Sequence, residues 1–114
     1  MNKTSLEKKA LIEKKLSLAL KEYQKKNFEN AKNFYQDIIK ISPQHAEAHF
    51  NLGMVFQSLR IFQKAKNFYL KAIKIKSNYV DAYNILGLIF RELNDLKSAK
   101  ESYEAAIQIY ENCV

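Results

Sequence analysis

The chain has 114 residues, of which 47% are hydrophobic and 27% are charged, and its formal net charge at pH 7 is +7. This length suits a single domain, and this hydrophobic content excludes a generally disordered chain. Two glycines and one proline favour an all-helical protein, and the single cysteine, Cys113, excludes a disulfide framework within the chain.

Helical periodicity and capping residues predict six helices along the chain. The first starts at a capping box that begins with Thr4 and includes Glu7, and it runs to about Lys25. Asn27 caps the second helix, which ends near Ile41. No strand-like alternation interrupts this pattern, so we expect an all-α protein.

Ser42 and Pro43 form the strongest break in the pattern. Serine is a good N-cap, and proline at the first helical position loses no helical hydrogen bond, so the pair predicts a third helix that ends near Leu59. The remaining helices are predicted at about Ile61 to Lys76, from a Ser77 or Asn78 cap to about Leu93, and from Asn94 and Asp95 onward.

An internal repeat with a step of 34 residues groups these helices into pairs. The recurring residues are Leu18, Ala31, Lys32, Tyr35, Ile39 and Ile41, then Leu52, Ala65, Lys66, Tyr69, Ile73 and Ile75, then Leu86, Ala99, Lys100, Tyr103, Ile107 and Ile109. Such a period predicts a helix-turn-helix solenoid rather than a single globular core. We expect one domain over residues 1–114, with repeats at about 12–45, 46–79 and 80–114 and a helical extension at 4–11.

Gly53 and Gly87 occupy the same position in the second and third copies. Glycine inside a helix costs about 0.5–1 kcal/mol relative to alanine, so its use in both copies needs a compensating reason. We expect each glycine to face an alanine of the partner helix and to set a short distance between the two helices.

These offsets resemble a tetratricopeptide repeat (TPR) array over residues 12–114. The second copy matches the family pattern with His49, Leu52, Gly53, Phe56, Ala65, Tyr69 and Ala72, and the third with Tyr83, Leu86, Gly87, Phe90, Ala99, Tyr103 and Ala106. The first copy departs from the pattern at Lys15, Ala19 and Glu22. The resemblance implies an all-α solenoid of three TPR units and six helices, forming part of a right-handed superhelix whose concave groove binds a peptide or another protein.

In this family the first helix of each repeat lines the concave groove. The resemblance therefore implies a groove formed by Leu16, Ser17, Leu20, Tyr23 and Gln24, by Phe50, Asn51, Met54 and Gln57, and by Asn84, Ile85, Leu88 and Arg91. Much of this set is apolar, which suits a segment that buries two or three hydrophobic anchors.

One branch of the family clamps the C-terminal carboxylate of chaperones with two Lys, two Asn and an Arg. The matching positions here are Leu16, Leu20, Asn51, Asp81 and Ile85, and only Asn51 agrees. Asp81 would repel a carboxylate where that branch has lysine, so the resemblance to this branch fails.

Charge is distributed unevenly along the array, because residues 1–45 and 46–79 each carry +5 whereas residues 80–114 carry −3. Nucleic-acid binding through the basic half is the weaker alternative. Arginine is scarce, and aromatic residues such as Phe56, Tyr69, Phe90 and Tyr103 occupy repeat core positions rather than an exposed stacking surface.

No motif for catalysis, a cofactor or a metal is present, so we do not expect an enzyme. His45 and His49 have the spacing of a helical metal pair, but no third ligand is near in sequence, and we expect a structural His49. The N-terminus has no apolar stretch of the about 7 residues that a secretory signal needs, and a cytoplasmic protein is expected.

The sequence therefore favours an adaptor that binds a hydrophobic peptide segment of a partner protein. The alternative is a self-assembly module. In that case, copies would associate through the uncovered face of the last helix, at about Ala106, Ile107 and Tyr110, or through the basic and acidic ends.

Overall fold

The computed structural model describes residues 4–113. This range contains six α-helices and no strand. The helices are α1 Ser5–Gln24, α2 Phe28–Ile41, α3 Ala46–Ser58, α4 Phe62–Ile75, α5 Val80–Glu92 and α6 Leu96–Asn112. The number and order of the predicted helices are confirmed.

Side chains cap the first and last helices as their sequences predict. The Thr4 hydroxyl accepts a hydrogen bond of 3.1 Å from the backbone N–H of Glu7 at the start of α1. The Asp95 carboxylate accepts one of 3.1 Å from the N–H of Ser98 at the start of α6. Both bonds satisfy amides that have no partner inside their helix. Asn27 occupies the N-cap position of α2, as predicted, but its side chain makes no capping hydrogen bond, and its Nδ2 donates to Glu22 Oε2 at 2.8 Å.

The predicted start of the third helix is wrong. Ser42 and Pro43 lie in a turn that the N–H of His45 closes by donating to the Ser42 carbonyl at 3.1 Å. Proline also fits this position, because its φ angle suits the second residue of a tight turn. The true N-cap of α3 is His45, whose Nδ1 accepts a 3.1 Å hydrogen bond from the N–H of Ala48.

The same turn follows α4, so neither Ser77 nor Asn78 caps the fifth helix. These two residues form the middle of the turn, which the N–H of Tyr79 closes on the Lys76 carbonyl at 3.2 Å. Tyr79 is the residue that precedes α5. The turn begins 34 positions after its counterpart at Ser42. The backbone conformation therefore recurs in this second turn, although it contains no proline.

The turns inside the three helix pairs share one backbone conformation. Lys26, Arg60 and Asn94 have φ angles of 65°, 61° and 61°, which is the left-handed region. The residue after each one donates its N–H across the turn, at 2.8, 2.8 and 2.7 Å, to a carbonyl five residues earlier. This is the Schellman ending of a helix, here with residues other than glycine at the left-handed position.

Each helix packs mainly against its neighbours in the chain. The radius of gyration is 15.1 Å, larger than the about 13 Å expected of a compact domain of this length. The molecule is therefore an elongated all-α solenoid of three helix pairs, as the 34-residue period predicts.

The two glycines contact tyrosines rather than alanines. A Cβ atom built on Gly53 would lie 2.8 Å from Cε1 of Tyr69, and one built on Gly87 would lie 2.5 Å from Cε1 of Tyr103. The predicted close contact at each glycine was correct, but the residue type predicted to contact it, alanine, was wrong. An aromatic ring lies flat enough against the helix backbone to occupy the space that a methyl group would take.

Candidate binding groove

A cavity of about 470 Å³ lies between α1 and α3 and has α2 at its base. We call it the α1–α3 cavity, and its lining residues are Leu16, Ser17, Leu20, Tyr23, Tyr35, Glu47, Asn51 and Met54. Six of these belong to the groove that the sequence predicts. Six of the nine predicted residues of α1 and α3 are thus brought together in space around one opening.

Apolar side chains form most of this cavity's wall. Leu16 and Met54 are half-buried and pack against the core, whereas Leu20 has 51% of its surface exposed. An exposed leucine beside a concave surface provides apolar area that a bound segment can cover. Met54 is flexible enough to adapt to different anchors.

Tyr23 is held at the edge of the cavity by two contacts. Its hydroxyl and the Ser58 hydroxyl are 2.7 Å apart and share a hydrogen bond that joins α1 to the end of α3. Its ring meets Phe28 edge-on, with the ring centroids 5.5 Å apart. These contacts fix the tyrosine, so it offers its ring rather than a free hydroxyl to the cavity.

Three of the predicted groove residues on α1 and α3 do not line this cavity. Gln24 is exposed at the end of α1. The Oε1 atom of Gln57 accepts a 2.6 Å hydrogen bond from the Tyr69 hydroxyl. Phe50 lies in the core, where its ring centroid is 5.3 Å from that of Tyr69 and 4.9 Å from that of Tyr79. The repeat offset alone did not reveal that these neighbouring rings cover Phe50.

The predicted residues of α5 lie outside the α1–α3 cavity. Asn84, Leu88 and Arg91 are exposed, and Ile85 is half-buried against the core. Each stands 34 positions after its counterpart on α3, so the helical repeat places them on the corresponding face of α5. Leu88 adds exposed apolar surface there.

Two lining residues, Tyr35 and Glu47, are absent from the predicted groove. Tyr35 reaches the cavity from α2, and prediction from the first helix of each repeat does not include that helix. Glu47 lies one turn before Asn51 on the same face of α3, a spacing that could have identified it. Burial, and then the nearby Glu47 carboxylate, raise the pKa of Tyr35 to about 12. The Tyr35 hydroxyl therefore keeps its proton at neutral pH.

A second cavity of about 380 Å³ adjoins the first and shares Leu16 with it. Its other lining residues are Ser5, Lys8, Lys9, Ile12, Glu13, Ile41, Ser42 and His45. Charges of both signs line this cavity, whereas Glu47 is the one charged residue among the described residues that line the first.

His49 has a structural environment. It is buried, its ring stacks on Phe68 with centroids 6.3 Å apart, and its Nε2 lies 2.9 Å from the Pro43 carbonyl. A carbonyl only accepts, so Nε2 is the protonated nitrogen that donates. Residues 4–113 contain no group of three or more His, Cys, Asp or Glu residues that could hold a metal ion.

Paired helices repeated every 34 residues, with small residues and aromatic rings at the pair contacts, define a helical-repeat protein. Models of the tetratricopeptide repeat match residues 15–45, 46–79 and 80–113. The chain belongs to the tetratricopeptide repeat family. Nothing among the curated proteins matches it. Within the described residues, no helix combines the length and apolar character needed to cross a membrane.

Solved structures of similar fold include three at about one quarter identity. A crystal structure of MamA is 25% identical with a TM-score of 0.86, over 89% of this chain and 59% of that chain. The Arabidopsis OM64 TPR domain is 26% identical with a TM-score of 0.85, over 92% of this chain and 87% of that one. The TPR2B domain of yeast Sti1, in a complex with pHsp70, is 25% identical with a TM-score of 0.84, over 88% and 80%. The chain thus spans less than two thirds of MamA.

Proposed function

We propose that this chain is a protein interaction module that binds a hydrophobic segment of a partner in the groove formed by the first helices of its repeats, α1, α3 and α5. The observation that supports this most directly is the α1–α3 cavity, where Leu20 stands half-exposed beside Leu16 and Met54. Asn51 and Ser17 add polar groups at the same opening, which can orient a bound backbone.

The family supports the same proposal. The similar Sti1 domain forms a complex with pHsp70, so a partner protein is the class of ligand that this fold suits. A cavity of about 470 Å³ accommodates one or two large side chains rather than a whole folded surface. A segment of extended or helical chain fits this cavity best.

Selection from a random dodecapeptide phage library on the immobilised full chain tests the proposal. We expect enriched peptides that contain large apolar residues, and we expect Leu20→Asp combined with Met54→Asp to abolish the enrichment while helicity is retained. Leu70→Asp is the matched control, because Leu70 is also exposed but lies outside the cavity. Equal enrichment on the double variant and on wild type would place binding elsewhere.

Self-association is the second candidate function, and exposed apolar side chains on α6 support it. Ile107 and Tyr110 are 57% and 69% exposed on the last helix. Ala106 is buried and does not belong to this surface, contrary to the sequence prediction. Two adjacent apolar residues form a small contact surface that a second copy could cover.

Light scattering at low and high salt tests this candidate. Association through Ile107 and Tyr110 should persist in high salt and should be lost in Ile107→Asp, whereas association through charged ends should weaken as salt screens it. Leu96→Asp, which changes another exposed leucine of α6, is the control. A monomer in both buffers at high concentration would exclude self-association.

A further inference from the structure

The hydroxyl of Tyr35 has no hydrogen-bond partner within residues 4–113, unlike that of its counterpart Tyr69. Tyr69 donates to Gln57 Oε1 at 2.6 Å. The residue 34 positions before Gln57 is Tyr23, and Tyr23 is already paired with Ser58 at 2.7 Å. The first repeat has therefore replaced the acceptor that holds this tyrosine in the second repeat.

The lack of an acceptor for the Tyr35 hydroxyl matters because of where this side chain lies. The side chain is only 3% exposed, yet it lines the α1–α3 cavity. Its oxygen is not among the fully enclosed unpaired atoms of the described chain, so it reaches the cavity surface. Such a hydroxyl bonds to water in the open cavity and exchanges that bond for one to a bound segment, for which a backbone carbonyl is a suitable acceptor.

One carboxylate gives the α1–α3 cavity a charge opposite to that of the whole protein. Glu47 is the one charged residue among the described residues that line this cavity. Its carboxylate forms no ion pair with any residue in the range 4–113.

A single carboxylate in the α1–α3 cavity of a basic protein can discriminate between ligands by charge. The net charge of +7 attracts acidic segments to its surface in general, but a carboxylate entering the α1–α3 cavity would meet Glu47 at close range. A lysine or arginine at the same place would meet an unpaired carboxylate instead. An apolar neighbour of that cation would cover Leu16, Leu20 and Met54.

We propose that the groove selects a segment in which a large apolar residue lies next to a lysine or arginine. The apolar side chain fills the α1–α3 cavity, the cation pairs with Glu47, and the Tyr35 hydroxyl donates to a backbone carbonyl of the segment. This inference rests on the proposed function, because it names the chemistry of the partner for the same groove.

The phage selection distinguishes the two proposals by the sequences it enriches. Apolar residues within about one helical turn of Lys or Arg support both. Enriched apolar residues without a basic neighbour, or with an acidic one, overturn the inference and leave the proposed function intact. No enrichment, or enrichment that Leu20→Asp with Met54→Asp leaves unchanged, overturns both.

Charge variants then test the role of Glu47 with the best peptide resynthesised and labelled. We expect Glu47→Gln to weaken binding of the original peptide about fivefold. The same substitution should have little effect on a peptide whose basic residue is replaced by glutamine. The matched control is Glu101→Gln, which removes the same charge from the exposed face of α6. Equal losses of peptide affinity in Glu47→Gln and Glu101→Gln would mean that only the net charge of the protein matters. That result would overturn the specific pairing with Glu47.

A single-atom change tests Tyr35. We expect Tyr35→Phe to weaken the same peptide about three- to tenfold, because only the hydroxyl is lost. The thermal midpoint of the free protein should not fall, since no hydrogen bond among residues 4–113 is broken. Tyr110→Phe, on the exposed part of α6, should leave binding unchanged. Unchanged binding in Tyr35→Phe would show that the hydroxyl does not contact the segment. A lowered midpoint without ligand would show that the hydroxyl is held within the protein, and would overturn the premise that it is free to bind the segment.

Discussion

The ring of Tyr69 lies against Gly53 so closely that a Cβ atom on the glycine would be 2.8 Å from Cε1. The ring has no freedom to withdraw, because it is fully buried and its hydroxyl is bonded to Gln57. Gly87 and Tyr103 repeat this contact in the third pair, with a distance of 2.5 Å. Tyr103, however, is only half-buried on the last helix.

Replacing the two glycines should therefore have unequal effects. Alanine normally stabilises a helix interior by about 0.5–1 kcal/mol over glycine. At Gly53 we expect Gly53→Ala to lower the free energy of unfolding instead, by about 1–3 kcal/mol, because the methyl group overpacks a fixed ring. Gly87→Ala should cost less, since Tyr103 can move toward solvent. Urea unfolding followed by circular dichroism measures both, and equal or stabilising effects would contradict the fixed-ring argument.

The two tyrosines of the first and second repeats should respond differently to loss of the hydroxyl. We expect Tyr69→Phe to reduce the free energy of unfolding by about 1 kcal/mol, because its bond to Gln57 lies in a partly buried place. Tyr35→Phe should change it by less than about 0.5 kcal/mol, since that hydroxyl has no hydrogen-bond partner in the described part of the chain. Differential scanning calorimetry without ligand provides the comparison. Similar losses in both variants would mean that Tyr35 is held within the chain.

Alkaline pH should destabilise the fold through its buried tyrosines. Burial is the largest cause that raises the pKa values of Tyr35 and Tyr79 to about 12, and it raises that of Tyr69 as well. In the unfolded chain these groups ionise near pH 10. Their contribution to stability is therefore complete below pH 10 and is lost as the pH rises toward 12 and beyond.

The tyrosine contribution can be separated from that of the lysines by one variant. The unfolding free energy of Tyr35→Phe should fall less steeply between pH 9 and about 11 than that of wild type, because one such group is absent. Urea titrations at a series of pH values measure the slope. Parallel curves would show that Tyr35 ionises in the folded chain as easily as in the unfolded one.

The left-handed residues at the turns offer a stabilising change. Lys26 has a φ of 65°, where a residue with a Cβ atom carries strain of about 1 kcal/mol or more. Lys26→Gly should raise the free energy of unfolding by about 0.5–1 kcal/mol after the added chain entropy of glycine is counted. Lys25→Gly is the control, because Lys25 has a φ of −81° and glycine relieves nothing there. Stabilisation in both variants would point to charge rather than strain.

Period and spacing predicted the six helices and their pairing, because these depend on residues that recur every 34 positions. The binding groove stays a prediction, and six of its predicted residues line the α1–α3 cavity. The start of α3 was missed because Ser42 and Pro43 suit a tight turn as well as a helix start. Tyr35 was missed because it reaches the α1–α3 cavity from α2, whereas the groove was predicted from the first helix of each repeat. The pairing of Tyr23 with Ser58 was missed as well, because a pairing between helices has no local pattern in the sequence.

The packing of each helix mainly on its neighbours in the chain has a mechanical consequence. The opening between α1 and α3 is set by a series of pair contacts, and few direct contacts between distant helices fix its width. In a solenoid, small rotations between neighbouring helix pairs add up along the array and bend the whole molecule. We therefore expect the width of the groove to change mainly by bending of the whole molecule, and we expect a ligand that joins α1 to α5 to reduce this bending.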